Sequence, residues 1–398
     1  MSAPLLFTPV TIRSITARNR VVIPPMCTYA AEDGLANDGH LVHLGNLALG
    51  GAGIIFVEAT AVEARGRITH GCLGLWSDAQ AAALGRIAAF MKKHGAVAGV
   101  QLAHAGRKAC VQRPWLGDDP LGVAPLGADD AARGDRPWEI IGPTGEPAVE
   151  GWLAPRAMDR SDIDAVVSAF EAAARRALSA GFDAVEIHGA HGYLIHSFLS
   201  PLSNTRRDAY GGGRSGRMRL AFEVTEAVRA AWPAEKPLFF RISAVDGLDR
   251  GWQLEDSVEL SRALAARGVD VVDCSSGGLH GSAVSALVPR SLGYQVPFAA
   301  RIRREAKVAT VAVGLIVDGP QAEAILRAGD ADLVAVGREA LLDPYWPHHA
   351  ARALGADPEF AAWPKLQGWY LARREKTLAR LGRSQALPRD ARRKSGSP

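Results

Sequence analysis

The chain has 398 residues, 48% of them hydrophobic, with 46 Lys and Arg against 42 Asp and Glu and a formal charge of +4. That length and apolar content suit a large α/β domain, and no run approaches the roughly 18 uninterrupted apolar residues of a membrane span. Residues 371–398 hold nine Lys or Arg and two acids, so the rest of the chain is slightly acidic and offers no basic face to a polyanion. Neither nucleic acid nor membrane is an expected partner, and the basic end reads as a solvated, partly disordered tail. Met1–Ser14 lacks a charged segment leading into an apolar core, so no secretory signal is expected. Cys27, Cys72, Cys110 and Cys274 are widely spaced and form no Cys-x-x-Cys pair. That pattern argues against a zinc knuckle or disulfide framework and for a reducing cytoplasm.

Along the chain, short apolar runs alternate with amphipathic stretches, the mark of repeated βα units. Strands are expected at 20–24, 53–58, 97–102, 183–188, 238–242, 270–274, 310–313 and 332–336. Helical patterns lie between them, for example at 78–93, 161–180, 215–232, 254–267 and 319–328. Ser161 is the expected cap of the second of these, with Asp162 and Asp164 in its first turn, and Gly181 and Gly268 close two helices. Eight such units predict a (β/α)8 TIM barrel, whose reactive groups gather at the C-terminal ends of the strands. A doubly wound sheet would want a glycine-rich turn directly after its first strand. Gly50-Gly51-Ala52-Gly53 instead precedes its strand, and no Walker-type Gly-Lys-Ser/Thr is present.

The strand ends carry Pro24–Cys27, Ala59 with Thr60, Gln101 with His104, His188 with His191, Arg241 with Ser243, Ser275 with Ser276, Gly314, and Gly337 with Arg338. After the fourth strand, His188, His191 and Tyr193 place three proton-handling groups within six positions. A His-x-x-His pair reads as metal ligands, as core histidines, or as two N–H donors converging on one carbonyl oxygen with Tyr193 as a nearby acid. The metal reading needs further ligands; Glu186 shares a face with His188 if strand alternation holds, and Glu58 is the carboxylate best placed at another strand end. Gly314, Gly337 and Arg338 fit the phosphate site that barrels often build after strands seven and eight.

Two long loops stand apart. Residues 112–158 are rich in Pro, Gly, Trp and Asp and read either as a cap over the barrel mouth, anchored by Trp115, Trp138 and Trp152, or as a surface excursion. Residues 204–217 are dense in Arg, Asp and Gly, with charges expected to pair and hold the floor of the site. The expected organisation is a barrel over 1–360, with 112–158 as its cap, and a C-terminal extension over 361–398.

Several stretches, taken in order, carry a resemblance. Asn19–Cys27, Gln101–Lys108, His188–Tyr193, Phe198–Pro201 and Asp273–Gly278 resemble the Old Yellow Enzyme family of flavin-dependent ene-reductases, in particular its bacterial thermophilic-like branch, over Leu5–Trp346. The resemblance implies a barrel holding FMN noncovalently, with NADPH or NADH as co-substrate and an activated alkene as oxidant. By motif match, Pro24, Pro25, Met26, Cys27, Ala59, Gln101 and Arg241 would contact the flavin ring, with Gly314, Gly337 and Arg338 around its phosphate and Cys27 tuning the redox poise. His188 and His191 would grip the substrate carbonyl, Tyr193 would protonate its α-carbon, and Tyr29 would contact the substrate. No resident metal is expected.

The resemblance also implies a homodimer or higher homo-oligomer in which a C-terminal aromatic or arginine enters the neighbouring active site; Trp369 and Tyr370 stand in that region. The turn Gly211–Arg217 lacks the family's acid–asparagine pair, so a looser loop is expected there. The segment 280–294, with Arg290, is expected to shape substrate range. Rival readings are oxidative demethylation or dienoyl reduction on the same flavin, a metal-dependent barrel hydrolase using His188 and His191, and a non-catalytic binding barrel. The iron–sulfur cysteine cluster usual in the first of these is missing.

Overall fold

The computed structural model describes residues 3–117, 119–280 and 288–381. Eight parallel strands close a barrel in chain order: β1 (Val21–Ile23), β2 (Ile54–Ala61), β3 (Val97–Ala103), β4 (Ala184–Gly189), β5 (Leu238–Ser243), β6 (Val271–Ser275), β7 (Ala309–Ala312) and β8 (Leu333–Ala335), with β8 pairing back to β1. All eight expected strands are present. Alternation divides each between two cores. Val22, Ile54, Phe56, Val97, Ala184, Phe239, Val271, Val311 and Leu333 fill the barrel, where Phe56 and Phe239 meet edge to face at 5.1 Å. Their neighbours Val21, Ile55, Val57, Ala98, Val185 and Val272 turn outward to the helices. An N-terminal hairpin, Val10–Ile12 with Ile15–Ala17, packs against the lower end of the inner core.

Between β2 and β3 the register slips at Glu58: Val57 faces Val100 and Ala59 faces Gln101. This one-residue bulge lets β2 run past its expected end to Ala61 and sets Glu58 apart from the ladder.

The principal helices are α1 (Asp38–Leu49), α2 (Asp78–Lys93), α3 (Arg160–Ser179), α4 (Arg214–Ala231), α5 (Leu254–Ala265), α6 (Val296–Ala306), α7 (Gly319–Ala328), α8 (Trp346–Ala353) and α9 (Lys365–Arg380). The expected cap of α3 is corrected. Asp159 caps it, accepting from Asp162 N at 2.9 Å, while the Asp162 carboxylate reaches back to Asp159 N. Ser161 donates its hydroxyl to Asp159 instead. An ionised carboxylate is the better acceptor at the positive end of the helix dipole. Gly181 and Gly268 follow their helices in the left-handed region, as the sequence reading has it.

Residues 112–158 carry a short helix, Ala128–Arg133, and a two-residue ladder joining Ile141–Gly142 to Arg156–Ala157. Leu121 and Ile140 share a buried cluster with Ile68, Ala105, Cys110 and Tyr193, joined by Trp138 and Trp152. Trp138 also donates to Arg65 O at 3.0 Å. Trp115 does not anchor the segment: it is 64% exposed and only touches Tyr29 edge-on at 6.1 Å. The charges of 204–217 do pair, Arg206 with Asp208, yet Arg206 also donates to Pro143 O and Met158 O. They therefore fasten the later part of residues 112–158 rather than the floor of the site. Without the acid–asparagine pair, Arg217 still holds Leu199 O and Gly212 O, and Arg214 pairs with Asp256 and Glu259, so the expected loosening is not seen.

Of α9 only Gly368 is buried; Leu366, Trp369 and Tyr370 are exposed. Most of the basic tail lies outside the described residues, and so does the middle of the 280–294 segment.

The Phe56–Phe239 pair seals the barrel interior well away from the mouth. Phe239→Ala should lower unfolding free energy by about 3–5 kcal/mol, the usual cost of an emptied aromatic site, read as a lower midpoint in urea denaturation.

Candidate active site

In the loops that follow the strands, Tyr29 after β1 (φ 50°), His191 after β4 (φ 61°) and Leu315 after β7 (φ 52°) are among the non-glycine residues that hold left-handed backbone. Each costs about 1 kcal/mol or more and persists only where neighbours over-determine it. For His191 those neighbours are explicit. Its N–H donates to Ser243 Oγ at 2.9 Å, and its carbonyl accepts from Lys108 Nζ at 2.9 Å. The same ammonium donates to Gly278 O at 2.8 Å, tying the loop after β4 to the loop after β6. Gly192 continues the turn at φ 74°, and a Cβ there would lie 2.3 Å from Gly278 O, so no other residue fits. Its N–H donates to His196 Nδ1 at 2.8 Å, and His196 Nε2 lies 2.9 Å from Asp246 in full burial.

This turn brings both imidazoles to one point. His188 Nδ1 accepts from Ala190 N at 3.2 Å, which leaves its proton on Nε2. His188 Nε2 faces His191 Nδ1 at 3.4 Å, and His191 Nε2 touches Ser275 Oγ at 2.7 Å. The Tyr193 ring lies 5.0 Å from the ring of His188 and 6.5 Å from that of His191. Lys108 Nζ sits 5.3 Å over the tyrosine face. Burial first, and then the positive charge of Arg241, hold both histidines well below the usual imidazole range. They are neutral at physiological pH.

Beneath them, Gln101 donates through Nε2 to Glu186 at 2.8 Å, which fixes the amide and leaves its oxygen to accept. Burial and the charge of Asp273 raise the Glu186 carboxyl well above the usual range. Glu186 thus serves Gln101 rather than His188. Arg241 Nε lies 3.2 Å from Asp273 Oδ2 without the alignment of a hydrogen bond, so this buried N–H has no hydrogen-bond partner among the described residues. On the β1–β2 side, Glu58 accepts from Thr28 N at 2.8 Å, and burial pushes its carboxyl up to about 7. Burial and Glu58 together raise the thiol of Cys27.

A cavity of about 290 Å³ opens at the ends of β5 to β8, lined among others by Arg241, Gln295, Gly314, Gly337 and Arg338. Gly314 adopts φ 117°, where a Cβ would press on Gln295 Nε2 and the Tyr294 ring at 3.0 Å. Glycine ends, an arginine at the start of the short helix Arg338–Leu342 and a second, buried arginine suit an anionic group such as a phosphate.

Residues 5–356 match the model of the NADH:flavin oxidoreductase / NADH oxidase family. The chain belongs to the Old Yellow Enzyme family. It is 47% identical over 353 residues to the NADPH dehydrogenase of Geobacillus sp. (strain WCH70), a match covering 88% of this chain and 95% of that one. Among solved structures, morphinone reductase matches with TM-score 0.71 and 26% identity over 89% of this chain and 91% of its own. A 2-naphthoyl-CoA reductase matches at TM-score 0.76 and 23% identity over 88% of this chain; it shares the fold, and this chain spans 52% of its length. As an Old Yellow Enzyme the chain is an oxidoreductase of FMN and NAD(P)H. The observed cavity fits that cofactor: Arg241 and Arg338 face it, and its glycine ends leave room for phosphate oxygens.

The structure brings Gln101, His188, His191 and Arg241 together at the mouth, with Tyr193 and Lys108 alongside, and Gly314, Gly337 and Arg338 around the cavity. A Cβ added at Gly337 would lie 3.5 Å from Met26 Sδ and Pro24 Cγ, so both side chains border that strand end. Pro25 and Cys27 follow on the same segment, half-buried, and Ala59, buried, sits beside Gln101 in the ladder. Arg290 is exposed. No group of three His, Cys, Asp or Glu side chains among the described residues could hold a metal ion, so the hydrolase reading lacks its ligand set. Lys108, Ser243, Ser275, Gln295, His196 and Asp246 are the contributors that sequence reasoning left without a role. Ser243 and Ser275 stood at strand ends, and a lysine between Arg107 and Ala109 on a buried segment was the other available signal.

In the unfolded chain the two histidines titrate near about 6.5. Below that value the unfolded state binds protons that the native state refuses, so stability falls as pH drops, with a slope of up to about 1.4 kcal/mol per pH unit for each. Urea unfolding between pH 7.5 and 5 should therefore show a shallower pH slope in the double variant His188→Asn, His191→Asn than in the parent.

Proposed function

We propose that the protein is an ene-reductase acting on small alkenes conjugated to a carbonyl or nitro group. The observation that carries this reading is the meeting of His188 Nε2 and His191 Nδ1 at 3.4 Å, with Tyr193 beside them. An oxygen can sit about 2.9 Å from both nitrogens at once, a normal hydrogen-bond distance. The chemistry that FMN would supply here, when bound and reduced by NAD(P)H, is delivery of a hydride. As the β-carbon accepts hydride, the π pair moves toward the substrate oxygen, where the two imidazoles hold the growing negative charge. One such donor is typically worth about 3 kcal/mol in the transition state. Because both rings are neutral, they polarise the oxygen without surrendering a proton to it. The electron pair then returns to the α-carbon, which takes its proton from Tyr193, completing the addition of two hydrogens.

Arg241 would offset negative charge on the bound flavin, and Gln101, held by Glu186, would offer it an amide oxygen. Pro24, Pro25, Met26, Cys27 and Ala59 would form the wall against the ring, Gly314, Gly337 and Arg338 would hold the phosphate, and Tyr29 would bound the substrate. The working form is a homodimer. Leu366, Trp369 and Tyr370 on α9 leave apolar surface that a second copy would cover. Four scattered, unpaired cysteines suit a cytoplasmic setting.

Anaerobic titration tests the chemistry. Protein bleached by NADPH should recover its yellow colour on addition of 2-cyclohexenone, and Tyr193→Phe should slow that recovery by about 100-fold or more. Bleached protein that is reoxidised by oxygen but not by the enone overturns the reading. Sedimentation velocity tests the assembly: the double variant Trp369→Ala, Tyr370→Ala should shift the protein from dimer toward monomer.

A further inference from the structure

Two neutral imidazoles grip an oxygen only if both present N–H to it, and a neutral ring has one N–H to place. His188 has its proton on Nε2 because Ala190 N occupies Nδ1. For His191 the nitrogen facing the substrate point is Nδ1, so its Nε2 must be bare. That depends on Ser275, whose hydroxyl lies 2.7 Å from Nε2 and can serve as donor or acceptor.

The surrounding distances decide between the two. Ser276 donates to Gln295 Oε1 at 2.7 Å, whereas Ser275 lies 3.4 Å from the same oxygen, beyond the usual O–H···O range. His191 Nδ1 to His188 Nε2 is also 3.4 Å, long for an N–H···N bond. If Ser275 donates to His191, each of the two short contacts holds one proton, and the 3.4 Å gap between the imidazoles is left to two N–H groups that only an incoming oxygen can satisfy. If His191 donates to Ser275, the serine proton must span the 3.4 Å gap to Gln295, and Nδ1 becomes an acceptor facing the substrate oxygen. Gln295 is itself steadied by donating to Val313 O at 3.3 Å. Gln295 also lines the 290 Å³ cavity, so this chain of groups runs from the cavity to the catalytic histidine.

We infer that Ser275 is a positioning residue that fixes His191 as the Nδ1–H tautomer, and that Ser276 and Gln295 free the Ser275 proton for that purpose. The inference rests on the ene-reductase reading for its purpose, but the tautomer itself is measurable without turnover. The experiment is 15N NMR of the FMN-loaded protein labelled at histidine, with His191 identified by its loss in His191→Asn. In the parent protein, His191 should show a protonated Nδ1 and a bare Nε2. Ser275→Ala should transfer the proton to Nε2, the form free imidazoles favour, and slow the enone step by about 100-fold, the loss typical of one oxyanion donor. Ser275→Thr should keep both the tautomer and the rate. Ser276→Ala, which releases the short contact on Gln295, should shift the tautomer part-way.

A parent protein with its proton on Nε2 overturns the inference whatever the variants do, as does Ser275→Ala with the tautomer unchanged. If the tautomer behaves as stated while the parent fails to reduce enones, the inference stands and the ene-reductase reading falls.

Discussion

The turn at His191 and Gly192 is the constraint on which the rest of the site depends. A left-handed residue followed by a left-handed glycine reverses the chain just beyond β4, and that reversal turns the His191 ring back toward His188. The strain is modest but unsupported turns of this kind relax. Here the backbone is held at three consecutive points, by Ser243 and Lys108 at His191 and by His196 at Gly192. His196 is local to the turn, but Ser243 and Lys108 arrive from beyond other strands, so the turn is fully held only once the barrel has closed.

The electrostatics follow from the same packing. Lys108 and Arg241 bring two cations close to a pair of buried histidines, and both cations make protonation of the rings harder. The lysine ammonium is solvated by two carbonyl oxygens, and the arginine lies against Asp273. The result is a neutral, donor-rich pocket in a positive field, suited to an oxygen that gains negative charge. A metal centre would want the opposite arrangement, with carboxylates behind the imidazoles.

The carboxylates of the barrel serve other ends. Glu186 orients Gln101, Asp273 accompanies Arg241, and Asp246 backs His196. Glu58 stands in a bulge beside the Cys27–Thr28 segment with one oxygen lacking a partner. Each is buried, and each has its charge state set by burial together with one or two neighbours, which is how a parallel barrel can carry so many polar groups at its upper end.

The strands, most helices and the residues gathered at the strand ends were legible in the sequence, because periodicity and position within a βα unit are local properties. The apolar runs located all eight strands, and the chemistry that His188, His191 and Tyr193 offer could be named before any contact was known. The cap of α3 was misplaced by two residues because Asp159 and Ser161 compete for one role, and only the geometry of the first turn separates them. Trp115 was given an anchoring role that Trp138 and Trp152 fill, since residue type does not reveal which indole finds a pocket. Lys108, Ser275, Gln295 and Asp246 were silent for a deeper reason. Their partners are far away in the chain, and a hydroxyl or an ammonium has no periodic signature. Which residues could do chemistry was written locally; which nitrogen carries the proton is decided by contacts that only barrel closure creates.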